Sequence, residues 1–571
     1  DNFTYRKYNG FVMQLGISKS VSKKQKESAL IMRKQTKIAA VVSAAALLAL
    51  GASMTSFAAS KGTWMMVDGE WYCYDKNGDA YENTFCSSNG KEYFVGEDGQ
   101  LVRSSWVEYD NEKYFVNSSG AKITNDWRLT TPMDEEDADE EWFYFQSTGK
   151  MATNKKITYK GKTYFFDSDG KMLTGWVTAK GKEVANEENS IDADDTYYCG
   201  EDGARLEKAW IYTTEPTAED NEADADEHWY YLKSSGNPVV NKKQNNLKGQ
   251  SYIFDKDGVM LSGWVAGTKT EVTSSNASSA KKYKYDYVEI DGQYDNIALS
   301  TEKDQDKEVY YCGGEDDGHV KKNKWIKTWR PADTYDEDED VDKYWYWIEK
   351  DGQVFVPETA DATATKFKLA DGKMETKTDG AQISKKKVGS KNYFFNQDGE
   401  MMSQFMEVTS LATGSNAFEG TGMYYLGGDD DGAMKTGAQT VKDDNGDSFK
   451  FYFGTRTATK NVEEVKGVGI TGNKGTKLYF KGLLITADDY KYQTATVPFA
   501  DGTQKTFIVN KNGGIQHSAY IYTEDGEDLI NAKAAKFAEG KDVTDAKKYS
   551  ILNPDEVEDE HPIDIYKVIL R

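Results

Sequence analysis

Short bursts of aromatic and aliphatic residues recur along the chain, separated by polar turns rich in Asp, Ser and Gly. One unit runs Gly161-Lys-Thr-Tyr164-Phe165-Phe166-Asp-Ser-Asp-Gly170-Lys-Met172-Leu-Thr-Gly175-Trp176-Val177. It returns around Tyr252, Phe254, Gly258, Met260, Gly263 and Trp264, and in degraded form around Tyr393, Phe395, Gly399 and Met401. Such a unit predicts a β-hairpin. Aromatics alternate on the first strand, an Asp-Gly or Ser-Gly turn reverses the chain, and a short second strand carries Met or Leu.

Two further unit types alternate with this one. The first reads Tyr197-Tyr198-Cys199-Gly200 and closes at Trp210-Ile211, with relatives at Tyr93, Tyr310 and Tyr424. The second follows an acidic run, as at Trp142, Trp229 and Trp345. Tyr164 and Tyr252 are 88 residues apart, and Trp142 and Trp229 are 87 apart. Two independent markers with one period indicate a module of about three hairpins, stretched later by inserts such as 268–307. A lone hairpin is marginal in water, so the units must bury their aromatics on one another. The expected fold is all-β: an elongated β-solenoid of stacked β-hairpin repeats spanning 59–515.

Composition sharpens this. Of 571 residues, 13% are aromatic, with 50 Gly against 8 Pro. A mean hydropathy of −0.75 alone would point to disorder, but disordered chains are poor in aromatics. The net charge of −24 disfavours nucleic acid, which needs clustered Lys and Arg, and it disfavours anionic membranes. It permits cationic ligands.

Arg33, Lys34 and Lys37 precede the apolar run Ile38–Leu50, and Ser56-Phe57-Ala58 supplies small residues at −3 and −1. This is the order of a secretory signal helix over 32–58, cleaved after Ala58. Residues 1–31 read as upstream, non-native translation. No transmembrane segment is expected in the mature form, and with no LPxTG-type sorting motif any cell attachment is expected to be non-covalent. Residues 516–571 read as a cap or small mixed segment, with a short helix over Ala532–Ala538.

The run from Gly161 to Trp176 resembles the cell-wall-binding, choline-binding-type repeat, which is similar to the glucan-binding repeats of glucosyltransferases and to clostridial toxin repeats. The resemblance covers about 64–515. It implies ligand cages between consecutive hairpins, in which aromatic faces hold a quaternary ammonium by cation–π contact. Carried onto this chain, the candidate ligand-binding residues are Trp142, Tyr164, Met172, Trp176, Trp210, Trp229, Tyr252, Met260, Trp264, Trp325 and Trp345. Trp176 and Trp264 alone keep the Met-x-[Thr/Ser]-Gly-Trp signature whole. Long inserts break the regular spacing, so many of these aromatics are expected to be core.

Asp-rich turns such as Asp167-Ser-Asp169-Gly170 lack the twelfth-position Glu of a calcium loop and read as turns. Cys73 and Cys86 are close enough in sequence to bridge one hairpin, while Cys199 and Cys312 read as buried hydrophobes. The four His form no His-Glu-x-x-His, no Gly-x-Ser-x-Gly is present, and no catalytic residue, metal or cofactor is assigned. The expected function is a secreted, non-covalently attached surface protein that binds choline-bearing teichoic acid or another wall glycan. The alternatives are an adhesive rod with a protein partner, or the binding region of an enzyme whose catalytic domain is missing here.

Overall fold

The computed structural model describes residues 62–516, apart from Asp134, Asp137's neighbour Glu136, and the segments 180–193, 217–225, 273–281, 291–298, 300–306, 332–341, 458–463 and 488–491, together with a few short strands outside that range. The expected upstream segment, most of the signal, and most residues after 516 lie outside the described residues. Ala58–Ala59 form a short strand beside Gly62–Val67. Among the described residues, no helix is long and apolar enough to cross a membrane. All pairs of named strands are antiparallel, and the chain divides into two compact units, 1–261 and 262–571.

In the first unit the strands form eight hairpins among the described residues, and their phase differs from the sequence expectation. The aromatic segment Lys162–Phe166 is the second strand of its hairpin, paired with Lys155–Tyr159 ahead of it. Lys160 and Gly161 both have positive φ, 47° and 82°. That is the primed two-residue turn whose twist matches antiparallel strands, and Asn89-Gly90 and Lys248-Gly249 repeat it. The Asp167–Gly170 turn does reverse the chain, but only into a single bridge, Phe166 to Met172. It is the link to the next hairpin. The acidic runs fall between the two strands of a hairpin, as between Asp126–Thr130 and Glu141–Phe145, so inserts there leave the stack undisturbed.

Each link is tied to the hairpin before its own. The amide of Leu101 donates to Trp71 O, Lys122 to Glu92 O, Met151 to Lys113 O, Met172 to Trp142 O, Arg205 to Thr163 O and Met260 to Trp229 O, all at 2.7–2.9 Å. Pro238 holds the same place and has no N–H. Asn237 Nδ2 substitutes for it, donating to Thr196 O at 3.1 Å. The turn glycine of each link then lies on the preceding link's side chain: a Cβ on Gly170 would stand 2.6 Å from Met151 Sδ, and one on Gly203 would overlap Met172.

The second unit keeps this bond, with Val354 N donating to Val309 O, Met401 N to Trp345 O and Met434 N to Asn392 O. It departs in merging hairpins into larger sheets. One five-stranded sheet runs in the order Lys391–Asn396, Lys373–Val388, Ala362–Ala370, Phe405–Leu411 and Gly422–Tyr425. The helix expected over Ala532–Ala538 is corrected: Phe537–Glu539 is a strand paired with Ser550–Leu552, and 532–536 lie outside the described residues.

The link carboxylates serve the backbone. Asp255 Oδ1 accepts from the amides of Asp257 (2.9 Å) and Val259 (2.8 Å), and Asn117 and Asn396 accept in the same way in their own links. Burial raises the Asp255 carboxyl to about 6, against the two amide bonds that lower it. The unfolded value is about 3.9. A raised native value means the folded chain binds the proton first, so this group adds stability as pH falls from about 6 towards about 4 and withholds it at neutral pH. Asp255→Asn keeps the acceptor without the charge. It is expected to raise stability at pH 7 by up to about 3 kcal/mol and to flatten the pH dependence between 4 and 6. Urea unfolding at both pH values measures this, and an unchanged slope would refute it.

Candidate ligand-binding junctions

Three hairpin types in rotation create three kinds of junction between consecutive hairpins. One of them is built around two tryptophans, one on each strand of the leading hairpin. Its first Trp comes from strand one of the leading hairpin and its second from strand two, on either side of the tip, which carries an acidic run in three of the four cases below. The following hairpin adds a Tyr, and its link adds the side chain next to the rung bond.

This set recurs four times at equivalent register positions: Trp64, Trp71, Tyr93 and Leu101; Trp127, Trp142, Tyr164 and Met172; Trp210, Trp229, Tyr252 and Met260; Trp325, Trp345, Tyr393 and Met401. The geometry is reproduced closely. Trp127 meets Tyr164 at 4.8 Å between ring centroids, Trp210 meets Tyr252 at 4.7 Å, and Trp325 meets Tyr393 at 4.7 Å. Trp127 and Trp142 stand edge to face at 6.3 Å and 84°, and Trp210 and Trp229 at 6.2 Å and 83°. The two indoles thus meet edge to face and are not stacked. Tyr164 and Tyr252 are buried, while Trp142 and Trp229 are half-buried. Burial raises the Tyr144 and Tyr164 hydroxyls, so at neutral pH these rings stay uncharged. At the fourth site the Trp345 indole N–H donates to Asp430 at 2.9 Å and Lys327 lies 5.9 Å from the ring, so this Trp is engaged by the chain's own groups.

The two residues with the whole signature sit elsewhere. Trp176 is buried among Ile211, Tyr230 and Leu232, and its indole N–H donates to Thr214 O at 3.0 Å. Trp264 is 2% exposed, donates to Trp329 O at 3.0 Å and stands edge-on to Tyr346 at 4.9 Å. Trp106 repeats the arrangement with Thr131 O at 2.8 Å. These three are anchors of a second kind of junction. Gly175 and Gly263 supply the left-handed residue that leads into the strand, at φ of 69° and 56°. Asn125, Lys208 and Asn323 take that conformation one residue further back before Trp127, Trp210 and Trp325.

Of the candidate residues, Trp142, Tyr164 and Met172 meet at one of these junctions, and Trp210, Trp229, Tyr252 and Met260 at another. The sequence reading missed Trp127 and Trp64. The available signal was a Trp on each side of an acidic run, at Trp127 and Trp142, Trp210 and Trp229, and Trp325 and Trp345. Cys73 and Cys86 lie on successive hairpins, not within one. Both are buried in one apolar cluster, their thiols hydrogen-bonded to each other. Burial pushes the Cys199 thiol up to about 12, leaving it an apolar filler at neutral pH. Among the described residues, no group of three His, Cys, Asp or Glu comes together to hold a metal.

Residues 136–172 match the choline-binding repeat family, and 104–122, 224–237 and 386–401 match a putative cell wall binding repeat. The chain carries choline-binding-type, cell-wall-binding repeats. The first matched segment holds Trp142, Tyr164 and Met172, and the later two hold Trp229, Tyr393 and Met401. Glucosyltransferase-S of Streptococcus mutans is 29% identical over 312 residues, 49% of this chain and 18% of that protein. Glucosyltransferase-I of Streptococcus downei is 24% identical over 464 residues, 70% of this chain and 26% of that protein. The chain thus spans about a quarter or less of the length of these curated relatives. Among solved structures, the modular autolysin LytC of Streptococcus pneumoniae with a synthetic peptidoglycan ligand is similar at 16% identity, covering 60% of this chain and 52% of that one, with a TM-score of 0.31. Choline binding protein F of the same organism is similar at 16% identity, covering 76% and 98%, with a TM-score of 0.25.

The anchoring role of Trp176 has a direct check. Trp176→Phe removes the bond to Thr214 and leaves part of the site unfilled, an expected cost of about 1–3 kcal/mol. Urea unfolding measures it, and an unchanged midpoint would contradict the assignment.

Proposed function

We propose that the chain is an exported surface protein, held non-covalently to cell-wall polymer through its double-tryptophan junctions. In this reading, residues 32–58 direct export and the hairpins stack as a solenoid within each unit. The observation that carries it is the fourfold recurrence of two Trp and one Tyr at one junction type, with a Met at three of the four. A quaternary ammonium has no hydrogen-bond donor, so aromatic faces are its natural partners, at roughly 0.5–2 kcal/mol per good face. Choline on teichoic acid presents that group. The same flat faces accept the apolar C–H side of a sugar. Each site alone is weak, but several sites on one chain meeting a repeating polymer gain about 10²–10⁴-fold in avidity. The net charge of −24 favours cationic substituents over bare anionic polymer.

The glucosyltransferase relatives favour a second reading, in which this array is the glucan-binding region of a larger enzyme. Retention of the full chain on choline-substituted walls and on an α-glucan separates the two. The first reading predicts binding to walls, elution by free choline, and at least about tenfold weaker retention of Trp210→Ala/Trp229→Ala. Retention on glucan alone, indifferent to choline, would replace it with the second. Failure on both supports removes both.

A further inference from the structure

The third kind of junction contains a cation supplied by the chain itself. Between the hairpins Thr84–Val95 and Ser105–Val116, the Lys122 ammonium lies 4.8 Å from the Phe85 ring centroid and 5.4 Å from that of Tyr114. Its side chain is 9% exposed and ion-paired with Glu92. Lys122 occupies the rung position held by Met172 and Met260 in the double-tryptophan junctions: its amide donates to Glu92 O at 2.7 Å, as theirs donate to Trp142 O and Trp229 O. The next junction of this kind places a cation on a single ring. Arg205 holds the rung position and lays its guanidinium 5.4 Å from the Tyr197 ring.

We propose that, where ring faces converge at a junction, a basic rung residue closes it to an outside cation, and that Lys122 does so by lodging its own ammonium in the aromatic cage. The inference rests on the cation-binding reading above and adds a rule for which sites are open. Two ring faces and a carboxylate are what a quaternary ammonium would seek, and the site opens on a polar groove lined by Ser87, Asn117, Thr124 and Ser147. A tethered cation meets that cage at an effective concentration on the order of millimolar or above, so a weakly bound free ligand does not displace it. Met at the same place adds a polarizable, uncharged wall and leaves the faces available.

Two measurements on the full chain test this. Titration calorimetry with choline chloride should show one more binding site in Lys122→Met than in the parent, and Phe85→Ala added to that variant should remove it, with unfolding midpoints establishing that each variant is folded. In the native parent, Lys122 should acylate more slowly than the exposed Lys91 under an amine-reactive ester, read by peptide mass spectrometry. A folded Lys122→Met with no added site overturns the proposal, as does acylation of Lys122 as fast as Lys91. If the parent binds no choline while Lys122→Met binds one equivalent, the junction rule stands and the reading of the double-tryptophan junctions falls. If the parent binds choline and the variant gains nothing, the rule alone falls.

Discussion

Everything in the array depends on one hydrogen bond, from the amide in each link to a carbonyl on the second strand of the preceding hairpin. A two-stranded hairpin has too little apolar surface to stand alone. The rung bond sets the register of one hairpin on the next, and register decides which side chains share a junction. Its importance shows where the chemistry denies it. Pro238 cannot donate, and the amide of the Asn237 side chain makes the bond instead. The turn glycines belong to the same constraint, because the link presses so closely on its predecessor that a side chain at Gly170 or Gly203 would collide with Met151 or Met172.

With register fixed, the rotation of three hairpin types becomes a rotation of three junction chemistries. One buries a Trp whose indole N–H is spent on a backbone carbonyl, at Trp106, Trp176 and Trp264. One holds a resident Lys or Arg against aromatic rings, at Lys122 and Arg205. One pairs two tryptophans that are half-buried at Trp127, Trp142, Trp210 and Trp229. In the proposed function, binding falls to every third junction, while the other two hold the stack together. The acidic inserts sit at hairpin tips flanked by these paired tryptophans, so they vary in length without moving the rungs.

The three-hairpin module and its all-β character were legible because aromatic bursts and turn glycines repeat at two markers with nearly one period. The hairpin phase was harder to read. Asp167–Gly170 and Lys160-Gly161 both look like turns in sequence, and only strand twist separates the primed turn at a hairpin tip from the link turn. The burial of Trp176 and Trp264 was hard to read for a related reason. The Gly of Gly-Trp reports a left-handed backbone residue, which Asn125, Lys208 and Asn323 adopt as well, so the signature marks a local conformation and not exposure of the ring. Self-occupation by Lys122 left no pattern to read, since Lys at a turn is ordinarily solvated and nothing local shows that Phe85 and Tyr114 converge on it.

The division of labour among tryptophans is the central claim, and fluorine NMR of the full chain with 5-fluorotryptophan tests it most directly. Single Trp→Phe variants assign the resonances, and choline chloride is then titrated in. The account predicts that the resonances of Trp127, Trp142, Trp210 and Trp229 move with added choline while those of Trp106, Trp176 and Trp264 stay fixed. Movement of Trp176 and Trp264 with the double-tryptophan set silent would contradict it.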